Sequence, residues 1–281
     1  MSASTAPPTA RPAGPARRPA RARVTSLARA ELLLLLRNRT ALFNALLLPV
    51  MTVVIFGSIA LANDPDAGAR AALGARLLPM LLAYALMFVV YYNLTTTLVA
   101  RREDLVLKRL LTGESSPGEV LAATAAPAVA IVLAQGALGA IAVVAMFGTP
   151  PLTNPLLALV ALAGGMALFA LLAAASAGLT KSVESAQLTT LPILVGALAL
   201  SGTVAPLSAS PEAMERIGRL TPLQPVFELM RLGVAGTGDD GAALTFAETF
   251  QAAGFPAAVL AVWLVAAAFA ARRWMRWQPR R

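Results

Sequence analysis

Six stretches of this 281-residue chain are long, apolar and free of interior charge, and no other property limits its fold so tightly. They cover 41–62, 77–99, 119–147, 153–179, 187–206 and 252–271, with Glu119 at the edge of the third. Each reaches the roughly 17–25 residues that cross a hydrocarbon core as a helix. Lipid offers no partner to an exposed backbone amide, so runs of this kind are expected as helices. The composition agrees: 58% of residues are hydrophobic and 13% charged, against about 45–50% and about 25% in soluble chains. The mean hydropathy is +0.71. The expected fold is an all-α integral membrane protein with six transmembrane helices.

Six is even, so both termini are expected on one side of the membrane. The positive-inside rule selects the cytoplasm. Of the 23 basic residues, only Arg70, Arg76, Arg216, Arg219 and Arg231 then lie outside. The long loop 207–251 becomes extracytoplasmic. Residues 1–23, rich in Pro, Ala and Arg, bury too little to order themselves and are expected as a disordered basic tail. No aromatic residues interleave with these arginines, so no nucleic-acid partner is expected. Residues 24–275 form the transmembrane domain, and 276–281 a basic cytoplasmic tail.

Two cytoplasmic pieces stand out. Residues 24–40 contain Leu32–Leu36 between Arg29 and Arg37, too short to span and suited to an interfacial helix on membrane lipid. Residues 101–111 place Arg101, Arg102, Lys108 and Arg109 in one arc of a helical wheel, with Val106, Leu107, Leu110 and Leu111 opposite. A short amphipathic helix is predicted there. Ser116, Pro117 and Glu119 then spell a helix start: cap, first position and reciprocal cap. On the outer side, 211–220 and 226–234 predict short helices, the second with Glu228 and Arg231 paired at i, i+3.

The chemistry is narrowed by what the sequence lacks. It has no Cys and no His, which removes thiolate nucleophiles, zinc sites built on them and Ser-His pairs. The runs carry only neutral polar groups, which disfavours proton-coupled transport. Among these groups Asn44, Tyr91, Asn93 and Gln135 are the candidates for lining a pathway. Thr95, Thr96 and Thr97 are expected to bond back to their own helix. No G-x-x-x-x-G-K-[ST] phosphate loop occurs. A membrane scaffold is the alternative reading. A lipid enzyme is weaker, because Glu103, Asp104, Glu114 and Glu119 read as caps and helix pairs.

Four stretches together resemble a known family, the permease subunits of type-2 ABC exporters, particularly the bacterial drug-resistance branch. They are ELLLLLRNRTALFNALLLPVM at 31–51, RREDLVLKRLLTGESSPGEVLAA at 101–123, ESAQ through SGTVAP at 184–206, and TPLQPVFELMRLGVAG at 221–236. Their order, spacing and sidedness match over about residues 24–275, while the basic extension 1–23 is outside the pattern. The resemblance implies a bacterial cytoplasmic membrane protein that pairs with a second permease subunit, as a homodimer or heterodimer. It implies separate ATP-binding subunits that carry ATP and magnesium, so this chain itself needs no cofactor and no catalytic residue. It makes 101–111 a coupling helix, with Glu31, Arg37, Arg101, Arg102, Glu103, Leu107, Lys108 and Arg109 at the ATPase interface. The implied cargo is an amphipathic drug, a lipid or a lipid-linked molecule.

Overall fold

The computed structural model describes residues 20–37, 39, 43, 47, 51, 54–55, 57–59, 62, 67–105, 116–203, 207, 211–238 and 241–275. Among them, four helical stretches are long and apolar enough to cross a membrane: Gly68–Glu103, Pro117–Phe147, Pro155–Leu179 and Phe246–Trp274. A fifth, Val183–Ala199, is apolar but shorter. The expected span 41–62 lies largely outside the described residues. The outward surfaces carry large exposed apolar side chains, such as Leu133, Ile141, Leu159, Val262, Val265 and Phe269. Such a surface suits lipid and would be an aggregation hazard in water.

Helix α1 is Ala20–Arg37. It starts before residue 24, where sequence composition placed the end of the tail. It packs along the third apolar stretch and leaves Leu33, Leu34 and Leu36 exposed. The second stretch has three parts: α2, Ala67–Ala85; a π-helical segment, Leu86–Tyr92; and α3, Asn93–Glu103. Helix α4, Pro117–Phe147, opens with the expected capping box, Ser116 accepting from the Glu119 amide and Glu119 from the Ser116 amide.

Helices α5, Pro155–Leu179, and α9, Phe246–Trp274, run side by side in the same direction. Asn154 both caps α5 and donates to Thr249 Oγ1 at 2.9 Å. Lower down, Leu260 lies against Gly164, and at the far end the Trp274 carbonyl stands 2.0 Å from where a Cβ on Gly178 would sit. Only glycine admits that backbone approach. Arg272 and Arg273 end α9 at the same level as Arg101, Arg102 and Lys181. We call this the basic end, and the other the opposite end.

Helix α6, Val183–Ala199, starts at the basic end with a Ser182–Ser185 capping box. At about 1.5 Å per residue its 17 residues rise only about 25 Å, so it stops short of the opposite end. Two short helices occupy the remaining depth: α7, Glu212–Arg219, and α8, Gln224–Val234. A Cβ on Gly218 of α7 would meet the Leu200 carbonyl just past α6. The Leu220 carbonyl accepts from Trp263 Nε1 in α9 at 2.8 Å. Helix α8 then climbs back along α5, with Val226 against Gly165 and Gly233 against Ala158. It packs on α2, α5 and α9. Val226, Phe227, Leu229, Met230, Leu232 and Val234 are all buried, so α8 is apolar around most of its circumference. Sequence reading predicted a short helix at 226–234 on the outer side; the structure has that helix and buries it in the core. The predicted Glu228–Arg231 pair forms, at 2.5 Å.

Candidate functional site

The densest polar contacts of the basic end gather where α3 stops. Arg101 and Arg102 are consecutive, so their side chains leave the helix about 100° apart. Arg101 makes a two-pronged pair with Glu31 of α1, both nitrogens 2.5 Å from a carboxylate oxygen, and also reaches Thr124 of α4 at 3.4 Å. Arg102 turns the other way. It donates to the carbonyls of Ala177 and Thr180 at 2.7 Å each and to that of Lys181 at 3.1 Å. These are the orphan carbonyls at the C-terminus of α5, where a cation also meets the negative end of the helix dipole. Arg102 is 1% exposed. A buried guanidinium is tolerable only with such a set of acceptors. Thr180 extends the link, its hydroxyl bonding Ser176 O at 2.8 Å and lying 3.2 Å from Thr189 Oγ1 of α6.

One helix end is therefore held from two sides. Through Arg101 it grips the surface helix α1; through Arg102 it grips the turn joining α5 and α6. Among the described residues, no group of three or more His, Cys, Asp or Glu side chains is placed to hold a metal ion.

This geometry corrects the expectation for 101–111. Arg101 and Arg102 continue the second apolar stretch, and the helix ends at Glu103. Leu105 has a φ of 60°, a left-handed conformation rare outside glycine, so one helical wheel cannot run through 101–111. Arg102 is also not a surface contact for a partner: it is consumed inside the chain. Arg101 and Glu31 are spent mainly on each other. Arg37 and Glu103 are exposed. Leu107, Lys108 and Arg109 lie outside the described residues.

The pathway candidates separate likewise. Tyr91 is buried, its hydroxyl 3.1 Å from Ser176 Oγ and its ring edge-on to Phe169 of α5, so it fastens two helices instead of facing an open path. Gln135 is buried within the packing of α4. Asn93 is exposed, and Asn44 lies outside the described residues.

The sequence reading missed the π-helical segment. A π turn displaces carbonyls from their usual partners and recurs at functional sites. Here the threonines that follow repair it. Thr95 donates to Tyr91 O at 2.6 Å, and Thr96 and Thr97 each to Asn93 O at 2.8 Å. The signal was present in the Thr95–Thr97 run, whose back-bonding was foreseen but not its cause. Glycine supports the same segment from α5: Leu86 fills the space that a Cβ on Gly165 would need.

A sequence profile described as ABC-2 type transporter matches residues 22–234. The match takes in α1, the α3 terminus, α4 to α6 and the buried helix α8. A search of curated proteins returns no match. With its apolar helices and a profile match over most of its length, the chain is a multi-pass membrane protein that belongs to the ABC-2 type transporter family.

Proposed function

We propose that this chain is the permease subunit of an ATP-driven exporter. In this reading it has six spans and two cytoplasmic termini, sits in the bacterial cytoplasmic membrane and works with a second permease subunit. A separate ATP-binding subunit docks on the basic end. The observation that carries the proposal is the two-sided hold on the end of α3, next to the segment that would receive the ATPase. A push on the end of α3 would reach α1 through Arg101 and the α5–α6 turn through Arg102. Exposed Glu103 and Arg37, with Lys108 and Arg109 beyond, supply the docking charges. ATP binding shifts the permease between two states only by favouring one of them in contact energy. The proposed cargo is an amphipathic drug, lipid or lipid-linked molecule, since the spans offer neutral polar and apolar surface.

Purification of the tagged chain from native membranes, with ATPase activity measured on the product, tests this reading. The proposal expects an ATP-binding subunit to co-purify and the double variant Lys108→Glu, Arg109→Glu to release it while the permease stays folded. A folded permease that brings no ATPase, with no transport phenotype on deletion, supports a scaffold instead.

A further inference from the structure

A cleft of about 430 Å³ opens at the opposite end between α2, α7, α8 and the turn after α8. That volume is in the range of small-ligand sites. Its lining is unusual for a space beside apolar helices, because among the described residues Arg76, Arg219 and Arg231 all contribute, against one carboxylate, Glu228. Arg231 is neutralised by Glu228, and Arg219 by Glu215. Arg76 has no hydrogen bond or ion pair with the described residues, so among them the cleft carries one guanidinium without an ionic partner. Gln224, 7% exposed, lines the cleft as well; its Oε1, an acceptor, has no partner, and its Nε2 makes no hydrogen bond with the described residues. The Nε2 is thus a second polar group on the same wall that is available to donate. Helix α8 rises about 10 Å between Gln224 and Arg231, so donors are spaced along the cleft wall. Ala75 and Phe227 supply apolar wall between them.

We propose that this cleft binds the phosphate-class anionic headgroup of an amphiphile. Guanidinium is the side chain best matched to phosphoryl oxygens, through paired N–H donors. An amide N–H in the cleft adds a neutral donor, and the alanine and phenylalanine wall accepts the first carbons beyond the headgroup. Ionisable groups placed among apolar helices are costly and commonly functional. The geometry holds for a lipid-borne phosphate and for a free one, and it stands apart from the transport reading.

The test is isothermal titration of the full chain in detergent. Three probes are compared: dioctanoyl phosphatidic acid, dioctanoylglycerol and inorganic phosphate. The proposal expects phosphatidic acid to bind at least tenfold tighter than dioctanoylglycerol. Arg76→Gln should remove that advantage, and Gln224→Met, which alters no charge, should weaken phosphatidic acid several-fold. Arg216→Gln, whose residue pairs with Glu212 on the exposed face of α7, should leave all three unchanged. Competition by millimolar inorganic phosphate identifies a free-anion site; its failure to compete identifies a lipid-borne one. The proposal is overturned if Arg76→Gln and Gln224→Met both bind phosphatidic acid as the wild type does, or if Arg216→Gln weakens it as much as they do. No ATP-binding subunit is needed, so this result and that of the transport test are independent.

Discussion

Replacing Arg102 by Met isolates the hold on α5 and α6. Methionine roughly preserves the apolar stem and removes every donor. Two of the three carbonyls that Arg102 serves, those of Ala177 and Thr180, are in buried contacts, while that of Lys181 is partly accessible. A buried acceptor left unpaired costs about 1–3 kcal/mol, so two cost about 2–4 kcal/mol once relief of the buried charge is set against the larger figure. For a chain of this size 1 kcal/mol moves the melting midpoint by about 2–4 °C, so Arg102→Met should melt at least about 4 °C lower. Arg101 is the control. Its pair with Glu31 is 21% and 18% exposed, and Arg101→Gln should cost only about 1 kcal/mol. Arg102→Lys keeps the charge but not the planar fork, and should fall between Met and wild type. The assay is intrinsic fluorescence melting of purified permease in detergent. A midpoint for Arg102→Met within about 2 °C of wild type, or one above that of Arg101→Gln, refutes the reasoning.

Three further outcomes follow from the packing. Gly233→Ala would place a Cβ 2.5 Å from the Ala158 amide nitrogen, so α8 must leave α5 and stability should fall by about 1–3 kcal/mol; Gly196→Ala meets nothing within 4 Å and should be neutral or stabilising by up to about 1 kcal/mol, so equal melting of the two variants contradicts the assigned contact. Asn154→Ala loses both the α5 cap and the bond to Thr249, and should lower stability by about 1–2 kcal/mol in the same melt. Tyr91→Phe removes one bond to Ser176 and should cost about 1 kcal/mol of stability while leaving cargo affinity in a transport assay unchanged; a large change in affinity with normal melting puts Tyr91 on the pathway after all.

The long apolar runs were legible because lipid imposes a simple rule, and the second, third, fourth and sixth expected runs fall on helices of sufficient length. Local chemistry was legible too. The Ser116–Glu119 cap, the threonine back-bonds and the Glu228–Arg231 pair each depend on a few neighbouring residues. What failed needed tertiary information. Helix α8 was predicted as a short helix, but its burial was not, because Pro225, Glu228 and Arg231 among its apolar residues do not mark a core helix until α2, α5 and α9 close around it. The direction of Arg102 depends on where α3 ends, and a wheel drawn through 101–111 assumed a helix that stops at Glu103. A one-residue step separates a side chain that grips α1 from one buried under α5. The shortness of α6 was hidden because residues 200–206 carry no charge to mark the end of the run, although the helix stops at Ala199.

The central claim is that an ATP-binding subunit docks at the basic end, and the absence of cysteine allows a clean test. Arg109→Cys introduces a single thiol in the segment proposed to dock, and Ala72→Cys one at the opposite end. Each is treated with a short thiol-to-amine cross-linker in native membranes, and the adducts are identified by mass spectrometry. The account predicts an ATP-binding subunit joined to the chain through position 109 and not through position 72. An adduct with that subunit from position 72, or none from 109 when both thiols are shown to be reactive, contradicts it.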